Sequence, residues 1–324
     1  MRATFDRICS ALSLGEQTAD PQPLRGGYTH RMYAVTTTHG RYAVKLLNPE
    51  IMRRPDALDN YRRAEGFETL LEVQCLPILP AMDIFGRKLQ CVDGQYLYVF
   101  RYYEGHALQD GEITPDHCHA MGGMLARIHQ VARRRLPGEA QPAAPIDWDG
   151  LTSALLACPD AHTEGLAMQA ALPMLHAVTR AAGEAALRLP RRETLCHNDM
   201  DAKNVLWQGD EFRVIDLESL GFADPLQELL DLAVSWAGHD PQEDCFKAFL
   251  YAYQYAGGEP LTDAVTVFDS RRNHIDWLAY NAARALSPDA AEARTGREQI
   301  TETLDKIAHD QLIRDRILRW CQEL

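Results

Sequence analysis

The chain has 324 residues, 46% hydrophobic and 24% charged, an ordinary globular composition that excludes a disordered or fibrous protein. At about 150 residues per domain, the length suits two domains or one large bilobal one. Lys and Arg number 33 against 46 Asp and Glu, a net charge of −13, so a non-specific nucleic-acid binder with a basic face is not expected.

No stretch approaches the roughly 20 apolar residues that span a bilayer, so no membrane segment is expected. Met1 to Leu14, interrupted by Asp6, reads as mature protein and not as a signal peptide. The eight cysteines are scattered with no C-x-x-C pair, which points to reduced thiols and a cytoplasmic location.

The first hundred residues read mostly as strands. Arg25-Gly-Gly-Tyr-Thr29 is a short glycine turn whose backbone N–H groups, at Gly26, Gly27 and Thr29, can lie over phosphates. Arg31 to Thr38 and Arg41 to Leu47 are β-branched and aromatic runs separated by His39-Gly40, an antiparallel hairpin. Lys45 in Tyr42-Ala-Val-Lys matches the strand lysine that kinases place on nucleotide phosphates. Pro55 to Val73 has helix spacing and offers Glu65 and Glu68 to orient that lysine, with Glu65 favoured. Arg87 to Cys91 and Gln95 to Tyr102, around Asp93-Gly94, form a second hairpin.

After Gly105 the character changes. Pro115 to Arg135, Thr152 to Leu156, Leu166 to Leu189, Pro225 to Ala237, Asp244 to Ala256, Leu261 to Leu286 and Glu298 to Glu323 have helical periodicity. A single strand pair, Asn204 to Trp207 and Phe212 to Asp216, interrupts them, and Leu136 to Pro145 reads as a surface connection. The expected fold is α+β and bilobal, with a small antiparallel-sheet lobe over residues 1–103 and a larger, mostly helical lobe over 104–324. The lobes differ in charge: residues 1–103 hold 13 basic and 11 acidic side chains, a net of +2, and residues 104–324 hold 20 and 35, a net of −15.

His197, Asp199 and Asn204 fit H-x-D-x-x-x-x-N, the kinase catalytic-loop spacing in which Asp takes the substrate hydroxyl proton and Asn binds magnesium. Asp216 ends the hairpin that follows. With its turn at Gly209-Asp210, Asn204 and Asp216 fall within one residue of opposite each other, so both oxygens reach one or two Mg²⁺ ions. Other constellations lead nowhere. His117-Cys-His119 lacks further ligands, Cys196 and His197 are sequence neighbours that do not face each other, and there is no P-loop and no G-x-S-x-G.

In Gly26 to Tyr33, Tyr42 to Lys45, Met121 to His129 and His197 to Ala233 the sequence resembles the aminoglycoside phosphotransferase family. This is the small-molecule branch of the protein-kinase-like fold that includes choline, homoserine and macrolide kinases. The resemblance implies ATP or GTP bound between the lobes near Phe100 and Tyr102, an alcohol as acceptor, Asp199 as base, Asn204 and Asp216 as magnesium ligands and Lys45 as phosphate binder. The chain departs from the family at Asn198, where glycine is usual, at His30, where asparagine is usual, and at Thr29, where serine is more common. Asp216-Leu-Glu218 stands where protein kinases have D-F-G, but there is no A-P-E and no room for an activation loop before Pro225, so a protein kinase is not expected.

The acidic helical lobe suggests a cationic acceptor of the aminoglycoside type, with antibiotic resistance as the role. Candidate substrate contacts are the carboxylates Asp201, Glu228, Asp231, Asp240 and Asp276 and the rings Trp236, Trp277 and Tyr280. The alternatives are a housekeeping kinase for choline, homoserine or a sugar, and a silent nucleotide-binding module. The final helix is expected to pack on its own lobe, and the sequence leaves monomer or homodimer open.

Overall fold

The computed structural model describes residues 2–24, 30–109, 111–135 and 144–324. It opens on a helix, α1 (Arg2–Ala11), that the sequence reading leaves unassigned although Phe5, Ile8 and Cys9 have helical spacing; all three are buried. Five antiparallel strands follow: β1 (Gln22–Leu24), β2 (Arg31–Thr37), β3 (Gly40–Leu46), β4 (Gln90–Val92) and β5 (Gln95–Arg101), in spatial order β1-β2-β3-β5-β4. Both hairpins form, the first turning at Thr38 and His39, one residue before the expected His39-Gly40, the second at Asp93 and Gly94 with positive φ of 50° and 78°. Strand alternation puts Tyr33, Val35, Tyr42, Val44, Leu97 and Val99 on one face, packed with Phe5 and Ile8 of α1. Between β3 and β4 lie a single turn, α2 (Pro49–Met52), and α3 (Ala57–Val73).

Beyond β5 helices dominate: α4 (Pro115–Val131), α5 (Trp148–Ala157), α6 (His162–Ala186), α7 (Pro225–Trp236), α8 (Glu243–Tyr255), α9 (Ala264–Ser270), α10 (Asn273–Arg284) and α11 (Ala290–Gln322). The architecture is therefore α+β and bilobal. The expectation of a single strand pair among these helices is wrong. Short strands β6 (His106–Ala107), β7 (Arg133–Arg135), β8 (Arg192–Cys196), β9 (Val205–Gln208), β10 (Glu211–Val214) and β11 (Gly221–Ala223) build two three-stranded sheets, β10-β9-β6 and β11-β8-β7.

Two expected helices need correction. The first stops at Val131, because Ala132 turns extended (φ −148°, ψ 134°) and the three arginines that follow have no apolar face; their backbone completes the edge of β8. The helix expected over Leu261 to Leu286 is two, broken where Arg271 turns extended (φ −64°, ψ 133°) and its guanidinium reaches Asp231 on α7 at 3.0 Å. Helices α4 and α8 pack so closely that a Cβ on Gly122 would lie 2.1 Å from the Phe249 carbonyl oxygen. The final helix packs on its own lobe: Ile300, Leu304 and Ile307 join Trp148, Leu155 and Leu278, and Ile313, Ile317 and Trp320 join Phe246 and Trp236. Leu312 of the same helix points away and is 80% exposed. Among the described residues, no helix is long and apolar enough to cross a membrane.

Candidate active site

Lys45 sits one residue from the end of β3, 7% exposed, with its side chain reaching out of the sheet. Its Nζ donates to Asp216 Oδ1 at 2.6 Å and to Glu218 Oε2 at 2.6 Å. Burial alone would lower the pKa of this ammonium. The two carboxylates outweigh that and hold it above the ordinary lysine value. The same ammonium, helped by His30, draws Glu218 down to about 2 against the opposing effect of burial.

The loop from His197 to Asn204 joins β8 to β9. Asn204 Nδ2 donates to the Asp199 backbone oxygen at 2.7 Å and to Asp199 Oδ2 at 2.8 Å, while Lys203 Nζ donates to Asp199 Oδ1 at 2.5 Å. Burial pushes the Asp199 carboxyl up, and Lys203 offsets only part of that rise. The β9–β10 ladder pairs Val205 with Val214 and continues through Ile215 N–H to Asn204 O at 2.9 Å. Asp216 is thus one residue from opposite Asn204, as the spacing anticipates. Lys45 touches Asp216, Asn204 touches Asp199, and this last rung of the ladder joins the two pairs.

Asp216 holds a left-handed conformation (φ 62°, ψ 51°), one that Asp and Asn tolerate better than other side chains. Asn198 does the same at φ 65°. Its N–H donates to Glu228 Oε1 at 2.5 Å and its Nδ2 to the Ser219 carbonyl at 2.8 Å, so the side chain standing at a usual glycine position also ties two loops together. His197, fully buried, holds the loop from beneath: Nε2 donates to Ile215 O at 3.2 Å and Nδ1 accepts the Asp199 N–H at 3.3 Å. Both of its ring nitrogens are thus engaged by backbone atoms of Ile215 and Asp199.

The expected partner of Lys45 is corrected. Glu65 accepts instead from the Leu89 N–H at 2.8 Å and the Tyr98 hydroxyl at 2.9 Å, because α3 presents it to β5. Glu68, the other candidate, is taken by Lys88 at 2.5 Å and the Ala81 N–H at 3.0 Å. Both still line, with Phe100, Tyr98 and Leu217, a cavity of about 310 Å³ into which Lys45, Asp216 and Glu218 open. Tyr102 is placed just past β5 with the Arg41 guanidinium 3.6 Å above its ring. Gly26, Gly27 and Thr29 lie outside the described residues.

The substrate candidates scatter. Asp201 is on the loop itself, accepting from Ser235 Oγ at 2.8 Å and Lys203 Nζ at 3.0 Å. Glu228 is not a pocket carboxylate: it is 7% exposed, and its second oxygen accepts from His129 Nε2 at 2.7 Å, making it a brace under the loop. Trp236 is core, fully buried with its indole N–H on the Met200 carbonyl at 2.9 Å. Asp231 faces a separate cleft of about 530 Å³ among α6, α7, α9, α10 and α11, where burial pushes its carboxyl up to about 6 despite Arg271. Asp240 and Asp276 are surface acids paired with Arg316 and Arg272, each at 2.8 Å. Trp277 and Tyr280 stack at 5.5 Å, each 37% exposed, and Arg54 beyond β3 donates to the Tyr280 hydroxyl at 2.8 Å.

Sequence reasoning passed over Glu218 and Lys203. The signal for Glu218 was its place two residues after Asp216, on a loop that must turn back toward Lys45. For Lys203 it was a lone cation between two expected catalytic positions.

The donor set fits a divalent cation. With its amide nitrogen committed to Asp199, Asn204 keeps Oδ1 as a ligand, and Asp216 keeps Oδ2, both hard oxygens of the kind Mg²⁺ takes. Asp216 and Glu218 carry two negative charges against the one on Lys45, and this local excess favours an added cation.

A family model described as "Phosphotransferase enzyme family" matches residues 20–265. No curated protein matches the chain. Among solved structures, it is similar to a spectinomycin phosphotransferase in complex with ADP and spectinomycin, at 13% identity and TM-score 0.72, covering 96% of this chain and 98% of that one. It is similar also to an amicoumacin kinase in complex with AMP-PNP, Ca²⁺ and Ami (15% identity, TM-score 0.62, 94% of this chain and 95% of that one covered). A microcompartment-associated aminopropanol kinase is a third (16% identity, TM-score 0.62, 98% of each chain covered). At these identities the likeness carries the fold, and the family match carries the membership.

Proposed function

The chain belongs to the phosphotransferase enzyme family, and on that premise we propose that it moves the γ-phosphoryl group of ATP or GTP to a hydroxyl of a small molecule. The observation that carries this reading is the joining of Lys45–Asp216 to Asp199–Asn204 through one rung of a β-ladder. We place the nucleotide against the 310 Å³ cavity that Phe100 lines, extending toward Tyr102 just past β5, with the lobe boundary at 103/104. The free state of all eight cysteines agrees with a reducing cytoplasm.

In this reading Asp199 aligns the acceptor hydroxyl and takes its proton as the acceptor oxygen–phosphorus bond forms and the bond to the β-phosphate oxygen breaks. Lys203 and Asn204 fix both carboxylate oxygens, so the base is already oriented before substrate arrives. Lys45 places its charge on the donor phosphates. A divalent cation held by Asn204 and Asp216 would supply neutralisation of phosphate charge.

The acceptor follows from charge in detail. The net of −15 over residues 104–324 favours a polycationic antibiotic. Yet each carboxylate offered for one already has a basic partner: Asp201 with Lys203, Glu228 with His129, Asp231 with Arg271, Asp240 with Arg316, Asp276 with Arg272. A polycation would have to displace those partners, and this local pairing supports an acceptor other than a polycation. We infer an alcohol with few charges, of the amino-alcohol or sugar kind. Nucleotide consumption across aminoglycosides, macrolides, choline, homoserine and sugars tests this. Turnover at least tenfold faster with a small metabolite than with any aminoglycoside is expected; an aminoglycoside dominating the panel would restore the antibiotic reading.

A further inference from the structure

His30 stands directly before β2 and is 7% exposed, yet every polar atom of its ring is engaged. Its Nδ1 accepts the Asn48 backbone N–H at 3.0 Å, just past the end of β3. That bond requires Nδ1 to be bare and so puts the ring proton on Nε2. Nε2 lies 3.1 Å from Glu218 Oε1 and 3.0 Å from the Tyr61 hydroxyl of α3. The other oxygen of Glu218 is the one that holds Lys45, at 2.6 Å. One imidazole thus links β2, β3 and α3 to the carboxylate that fixes the lysine, while Glu65 is occupied elsewhere.

We propose that His30 is a positioning residue for phosphoryl transfer: with Nε2 hydrogen-bonded to the Tyr61 hydroxyl and 3.1 Å from Glu218 Oε1, it aims Glu218 at Lys45. The proposal rests on the kinase reading and goes beyond it, since it assigns the orienting of Lys45 to a His30–Glu218 pair. A carboxylate held at one oxygen presents the other in one place, whereas a free one shares the ammonium with Asp216 in several arrangements. Three substitutions separate this from simple packing. Glutamine carries its amide nitrogen at the reach of Nε2 and keeps the bond to Glu218. Asparagine reaches only as far as Nδ1 and keeps the bond to Asn48. Alanine keeps neither.

The experiment measures, for His30→Ala, His30→Asn and His30→Gln in the full chain, KM for nucleotide against kcat, ADP affinity by calorimetry without divalent metal, and the thermal midpoint. Ala and Asn are expected to raise both the nucleotide KM and the ADP dissociation constant about tenfold, near 1.4 kcal/mol. Gln is expected to bring both back to within about threefold of the parent chain, whatever the order of thermal midpoints. Rescue by Asn and not by Gln, or nucleotide affinity in Ala equal to the parent's, would overturn the proposal and leave His30 as packing. A parent chain that binds no nucleotide would overturn the kinase reading, and this inference with it.

Discussion

Replacing Asp199 with alanine lowers kcat by about 10²–10⁴ and leaves nucleotide affinity nearly unchanged, the loss typical of removing a general base. The surroundings make this variant interpretable. Lys203 keeps Asp201 as a partner at 3.0 Å, and Asn204 keeps the backbone oxygen of residue 199 at 2.7 Å, so the loop retains its tie when the carboxylate is gone. The base alone is removed, and steady-state kinetics with a parallel nucleotide titration reads the separation. Near-parent turnover would remove Asp199 from the chemistry.

Asp216→Asn is the second large effect. Asparagine has the same shape and tolerates the left-handed backbone at φ 62°, so the turn survives. Lys45 keeps Glu218. What is lost is one negative charge from the oxygen pair that would hold the cation. A fall in kcat/KM on the order of 10³, about 4 kcal/mol, is expected at Mg²⁺ that saturates the parent chain, with the thermal midpoint little changed. Activity within tenfold of the parent would place the metal elsewhere.

How far the site was legible depends on how local each contact is. The Asn204–Asp216 relation came from hairpin arithmetic, since a two-residue turn fixes the register of everything behind it, and the ladder from Val205–Val214 to Asn204–Ile215 follows that register. The β2–β3 hairpin and the helical lobe were legible for the same reason, a period of 2 or 3.6 repeated over enough residues. Strands of two to five residues such as β6, β7, β8 and β11 offer no period to read, and they exist because neighbours complete their hydrogen bonds. The partner of Lys45 was harder to read: Glu218 is 173 residues away in sequence, and only the docking of α3 on β5, with Tyr98 and Leu89 N–H waiting for Glu65, takes the nearer candidate away. Substrate candidates failed in the same way. Composition counts charges, whereas a pocket needs charges left over after each has found its neighbour.

The most direct test is a crystal structure of the chain with a non-hydrolysable ATP analogue and Mn²⁺, whose anomalous signal locates the metal independently of the protein density. Manganese peaks bound by Asn204 Oδ1 and Asp216, with Lys45 Nζ on the analogue's phosphates and the γ-phosphorus facing Asp199, are predicted. A nucleotide seated away from Lys45, or a metal that touches neither Asn204 nor Asp216, would contradict the account.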